Sequence, residues 1–159
     1  MCIRDSDESL VNACKDGQDL DARWNMMMAS TEGAMAFSKG LGAVHSMSHA
    51  IGANQELRLH HGTLNGVILP TVIRFNKDHV GNKLPRILRA MGKSESADLA
   101  DEIEKFNEKI NLPSGLKEMG VTEEMIPELV EHSITDPSNV TTPRLPSPEE
   151  WEQLFLSAM

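Results

Sequence analysis

Cysteine is almost missing: Cys2 and Cys14 are the only two in 159 residues, and no Cys-x-x-Cys occurs. A disulfide framework is thereby excluded, and a reducing compartment, the cytoplasm, is the expected home. Basic residues are outnumbered, 15 against 24 acidic, for a net charge of -9. Binding to a nucleic-acid backbone needs a basic face, so that partner class is excluded. Long apolar runs are missing too. The longest, GVILPTVI at residues 66–73, is broken by Pro70 and falls well short of the roughly 20 residues that span a bilayer, so no membrane segment is expected. The opening MCIRDSDESL has no apolar h-region and does not read as a secretory signal. Residues 1–6 read as a non-native leader, and residues 7–159 as one helical domain that begins in the middle of something larger. Internal repeats, low-complexity tracts and a glycine-rich phosphate loop are absent as well.

What is present is helical periodicity. DLDARWNMMMASTEGAMAFS, residues 19–38, is apolar around most of its circumference, the pattern of a helix buried at a bundle centre, with its methionines filling irregular gaps. GLGAVHSMSHAIG, 40–52, is a second helix bounded by glycines, and HGTLNGVILPTVIRFN, 61–76, a third with a kink expected at Pro70. A short strand through Val67, Ile68 and Leu69 competes with that third helix, but Pro70 and the lack of a partner strand count against it. SESADLADEIEKFNEKI spaces Leu99, Ile103, Phe106 and Ile110 as a surface helix capped around Ser94–Ser96. Residues 122–134 repeat that pattern. SPEEWEQLFLSAM closes the chain with Ser147 as N-cap, Pro148 at the first helical position and Glu150 completing a capping box. Residues 135–148, rich in proline and polar residues, read as a connector. The expected fold is an all-α, multi-helix bundle of six to seven helices.

Four histidines fall within the 23 residues 40–62. His45 and His49 are i and i+4, so a helix stands their rings one turn apart on one face. Gly42, Ala43, Ser46, Ser48 and Ala50 keep that helix thin. His60 and His61 arrive after a polar loop, directly before the next helix. Imidazole is the commonest protein metal ligand, but a catalytic divalent ion needs at least three protein ligands and an open position. A histidine on an apolar helix face is also an ordinary satisfied core residue, so spacing alone leaves both readings open. His79 and His132, set among charged residues, read as plain surface side chains.

The segment from Gly40 to Asn76 resembles the signature of the iron-containing (group III) alcohol dehydrogenases, in their helical, dehydroquinate synthase-like C-terminal domain. The matching elements are Gly42, His45, His49, Gly52, His61, Gly62, Asn65, Leu69, Pro70, Phe75 and Asn76. The stretches ARWNMMMASTEGAMAFS and NVTTPRLPSPEEWEQLF also resemble that family. The resemblance implies that His45 and His61 hold one divalent iron, or zinc in some members. It implies that His49 faces the nicotinamide and the substrate without ligating. His60 is then a subgroup feature, with the alternative that it replaces His61 as ligand. The family's Pro-His-Gly is Leu59, His60, His61, Gly62 here, after a longer loop, and the alanine or proline often flanking the second histidine is replaced by Ser48 and Ala50.

The resemblance also implies partners outside these residues: an N-terminal α/β domain that binds NAD or NADP, and two further metal ligands, an aspartate and a histidine, upstream. This chain is then about half of an enzyme that passes hydride between a small alcohol and its aldehyde or ketone. Alone, it is expected to bind metal weakly and nucleotide hardly at all. Within the family, hydroxyacid (hydroxyacid-oxoacid transhydrogenase) or maleylacetate substrates are alternatives, and a homodimer follows by analogy. From another class, a non-catalytic helical binding module is the competing reading.

Overall fold

The computed structural model describes residues 2–159, and among them there are eight α-helices, four short 3-10 turns and no strand. The helices are α1 (Cys2–Lys15), α2 (Leu20–Met35), α3 (Ala43–Gly52), α4 (His61–Asn76), α5 (Lys83–Ala90), α6 (Leu99–Lys109), α7 (Ile126–Thr135) and α8 (Pro148–Ser157). The all-α expectation holds, with eight helices against the six to seven expected, α1 and α5 being the ones that no periodic segment marked. The expected leader boundary falls inside α1, and Met1 lies outside the described residues. Among the described residues, no helix is long and apolar enough to cross a membrane.

The main core lies between α3, α4, α7 and α8. Met47, Ile51, Leu64, Ile68, Trp151 and Phe155 are fully buried there, each large side chain contributing about 1.5–3 kcal/mol of burial free energy. A smaller cluster of Leu88, Met91 and Leu99 joins α5 to α6. Helix α2 corrects the sequence reading. It packs against α1 and buries the small residues Ala22 and Ala29, while Leu20, Trp24, Met27, Met35 and Phe37 are 59–76% exposed. An apolar circumference shows that a helix can be buried on any face; within these residues, α1 covers only one.

Local chemistry sets the boundaries. Ser147 and Glu150 form the expected capping box, with Ser147 Oγ accepting from the Glu150 amide at 3.3 Å and the Ser147 amide donating back at 2.8 Å. The cap of α6 lies two to four residues later than expected. Ser94 and Ser96 hydrogen-bond each other at 2.9 Å, and Asp98 instead caps the helix by accepting from the Ala100 and Asp101 amides.

Helix α4 runs through Pro70 from His61 to Asn76. A proline nitrogen cannot donate to the carbonyl four residues back, here that of Gly66. The Asn107 side-chain amide, reaching over from α6, donates to that carbonyl at 2.8 Å, so the missing backbone bond is replaced from a neighbouring helix. Asn107→Ala should therefore lower unfolding free energy by about 1–3 kcal/mol. Urea unfolding checks this, and an unchanged midpoint would show that the Gly66 carbonyl does not depend on Asn107.

Candidate metal centre

Two glycines set the entry to α3. Gly40 and Gly42 have φ of +96° and +85°, values that favour glycine. A Cβ on Gly40 would also collide with the Thr141 side chain. The connector expected from residues 135–148 thus packs directly on the start of α3, and the Gly42 amide donates to the Ser138 carbonyl at 3.0 Å. From that start, α3 turns Ala43, Met47, Ala50 and Ile51 into the core and carries His45 and His49 on another face. Helix α4 brings His61 against them from its first turn.

Three imidazoles meet there. Ring centroids lie 5.7 Å apart for His45 and His49, 5.2 Å for His45 and His61, and 5.3 Å for His49 and His61. The Phe37 ring approaches His45 edge-on at 6.1 Å and walls one side. The Asn65 amide, one helical turn after His61, places Nδ2 3.1 Å from His61 Nε2 and 3.4 Å from His45 Nε2. Both ring Nε2 atoms thus face the same amide group. Asn65 Oδ1 is buried without a partner.

Electrostatics keep these two rings in the form that ligates. Burial lowers the pKa of His45, followed by repulsion from His61 and His49, with Asp136 pulling weakly the other way. For His61, burial is again the largest cause, followed by repulsion from His49 and His60. Both shifts favour the neutral ring, the form that metal binding requires.

The other two histidines of the stretch have different surroundings. His49 Nδ1 lies 3.0 Å from Asp136 Oδ2. Burial raises the pKa of Asp136, but hydrogen bonds from the Ser138 hydroxyl and amide and from His49 outweigh it and hold the carboxyl below its ordinary range. His60 caps α4, its Nδ1 accepting from the Thr63 amide at 3.3 Å. That role accounts for His60 without a metal. His79 and His132 are exposed and lie outside the ring cluster.

Asp136 escapes the sequence reading, as does Asn139, which ties the connector down. Asn139 accepts from the buried Ser46 hydroxyl at 2.6 Å and donates to the Ser133 carbonyl at 2.6 Å, at the end of α7. The one available signal was the Asp-Pro-Ser sequence, a helix-cap pattern.

The donor set fits half of a metal site. Two neutral imidazoles aim at one point, and nitrogen donors of this kind suit iron or zinc. Among the described residues, no group of three or more His, Cys, Asp or Glu is arranged to hold an ion. Further ligands would have to come from elsewhere.

The sequence matches the C-terminal part of the Fe-containing alcohol dehydrogenase family over residues 2–159. The chain belongs to the Fe-containing alcohol dehydrogenase family. Among proteins similar to this family member is the 4-hydroxybutyrate dehydrogenase of Cupriavidus necator, 42% identical over 157 residues that make up 94% of this chain and 41% of that protein. The NAD-dependent methanol dehydrogenase of Bacillus methanolicus is 32% identical over 161 residues, 96% of this chain and 42% of its own. A crystal structure of 1,3-propanediol oxidoreductase superposes with a TM-score of 0.92 at 30% identity, covering 99% of this chain and 43% of that one. The chain spans about two fifths of the length of the curated relatives it matches.

Proposed function

We propose that these residues are the helical metal-binding part of an NAD(P)-linked alcohol dehydrogenase that works in the cytoplasm, as a homodimer by analogy with the family. An N-terminal nucleotide-binding domain would complete it. The observation that carries this reading is the convergence of His45 Nε2 and His61 Nε2 on one point. In it, His45 and His61 are two ligands of a divalent cation, iron first and zinc second, and the remaining ligands lie outside these residues. A bound cation there supplies polarisation of the substrate oxygen, and NAD or NADP supplies hydride exchange.

This chain's own contribution is to hold groups and move a proton. His45 and His61 stay neutral, and Asn65, which faces both Nε2 atoms, would give those lone pairs up to the cation. His49 is the catalytic residue. Its Nδ1–H is held by Asp136, which leaves Nε2 free to accept the proton of an alcohol, or to return it to the product of the reverse reaction. Asp136 is a positioning residue, since it acts through His49 and orients the ring. The exposed side of the His49 ring, 41% accessible, leaves room for a substrate and nicotinamide.

Among substrates, the 42% identity to a 4-hydroxybutyrate dehydrogenase favours a hydroxy acid over a simple alcohol. The full-length protein should oxidise 4-hydroxybutyrate with a kcat/KM at least about 10-fold above that for 1-butanol, a difference of about 1.4 kcal/mol in transition-state binding. A preference for 1-butanol would overturn the hydroxy-acid choice. Loss of both activities in a protein that holds no divalent metal would overturn the dehydrogenase reading in favour of a helical binding module.

A further inference from the structure

Ser48 precedes His49 on α3 and is one of the small-residue positions at which this sequence departs from the pattern it resembles. Its side chain is fully buried. A buried hydroxyl needs partners, and this one has two. Ser48 Oγ lies 3.1 Å from the carbonyl oxygen of His45, three residues back, and 3.4 Å from Nδ1 of His61 on the neighbouring helix.

The single hydroxyl hydrogen can go to either partner, and the contacts on the far side of the His61 ring select between the two arrangements. A hydroxyl carries a single hydrogen, and a carbonyl can only accept. With that hydrogen donated to the His45 carbonyl, Ser48 Oγ faces His61 as an acceptor, so Nδ1 of His61 must carry the ring's N–H. Asn65 reaches the same result from the opposite side. Its Nδ2 group can only donate, and it stands 3.1 Å from His61 Nε2, which must then be the bare nitrogen. The Asn65 contact selects the Nδ1–H tautomer, and the Ser48 hydroxyl is placed to accept from it.

We propose that Ser48 is a positioning residue for the metal centre: its hydroxyl, anchored on the main chain of His45, holds the Nδ1–H of His61 and turns the Nε2 lone pair toward the point that His45 addresses. The proposal rests on the reading of His45 and His61 as ligands and adds the group that fixes their relative geometry. Because the anchor is the carbonyl of His45 itself, the two imidazoles are referenced to one oxygen. An alanine at position 48 would be the better helix former, so the hydroxyl brings no local helical advantage. Its use lies in the ring it faces.

The test is made on the full-length protein containing these residues. In metal-free protein, nitrogen-15 NMR of the histidine side chains should show His61 as the single Nδ1–H tautomer, and Ser48→Ala should convert it to a mixture. In a chelator competition, Ser48→Ala should weaken zinc binding about 10-fold, the lower end of what outer hydrogen bonds to ligating histidines contribute. Adding Ser48→Ala to His61→Ala should change zinc affinity no further. An unaltered tautomer in Ser48→Ala overturns the proposal, and so does an equal loss of affinity in the His61→Ala background. Full zinc affinity in His61→Ala alone overturns instead the ligand assignment beneath it, since the tautomer ratio judges Ser48 without metal.

Discussion

Full-length protein carrying His61→Ala should lose its divalent metal. His61 supplies one of two imidazoles whose Nε2 atoms face one point, and among the described residues no group of three or more His, Cys, Asp or Glu is arranged to hold an ion without it. Hydrogen-bonding partners behind a metal ligand are typically worth 10–100-fold in affinity, so removing the ligand itself should weaken binding by at least about 100-fold. Elemental analysis after dialysis should find the metal gone, and turnover should fall with it. His45→Ala should do the same. His60→Ala provides the contrast. Its ring caps α4 through the Thr63 amide, so metal content should be retained, and stability should drop by about 1 kcal/mol, as expected for losing a cap. Metal loss in His60→Ala with retention in His61→Ala would exchange their roles.

The second large effect separates chemistry from metal binding. His49→Gln should lower kcat by about 100-fold or more, the range for a lost general acid or base, while metal content stays at the wild-type level. Glutamine keeps hydrogen-bonding groups near Asp136 but cannot take up a proton at Nε2. Asp136→Asn should also lower kcat with metal retained, because an amide no longer demands the Nδ1–H form of His49. Normal turnover in His49→Gln would remove His49 from the reaction. Loss of metal in that variant would make it a ligand.

The legible part of the molecule was local. The i, i+4 spacing of His45 and His49 and the His-Gly step at His61 are short-range patterns, and a helix turns them into geometry with little help. The capping box at Ser147 and Glu150 was equally readable. Harder cases involved competition or distance. Ser94 and Asp98 both offer a start for α6, and only the fold shows that the two serines bond each other, leaving Asp98 to cap. The partner of His49 lies 87 residues away, in a segment whose composition says connector and nothing about where it docks. That docking depends on Gly40 and Gly42 letting Thr141 and Ser138 approach, a tertiary fact without local periodicity. Helix α2 failed for a different reason. Its apolar residues surround the axis, and hydrophobicity gives the capacity for burial without naming the element that covers each face. Continuation of α4 through Pro70 likewise needs Asn107, which stands 41 residues from the Gly66 carbonyl it serves.

The most direct measurement is X-ray absorption fine structure at the metal edge of the full-length protein, run beside the His45→Ala and His61→Ala variants. The account predicts imidazole scattering at about 2.0–2.1 Å, with a contribution from two rings that either substitution reduces. A metal shell that keeps its imidazole contribution when either His45 or His61 is removed would contradict the convergence of these two rings on one ion.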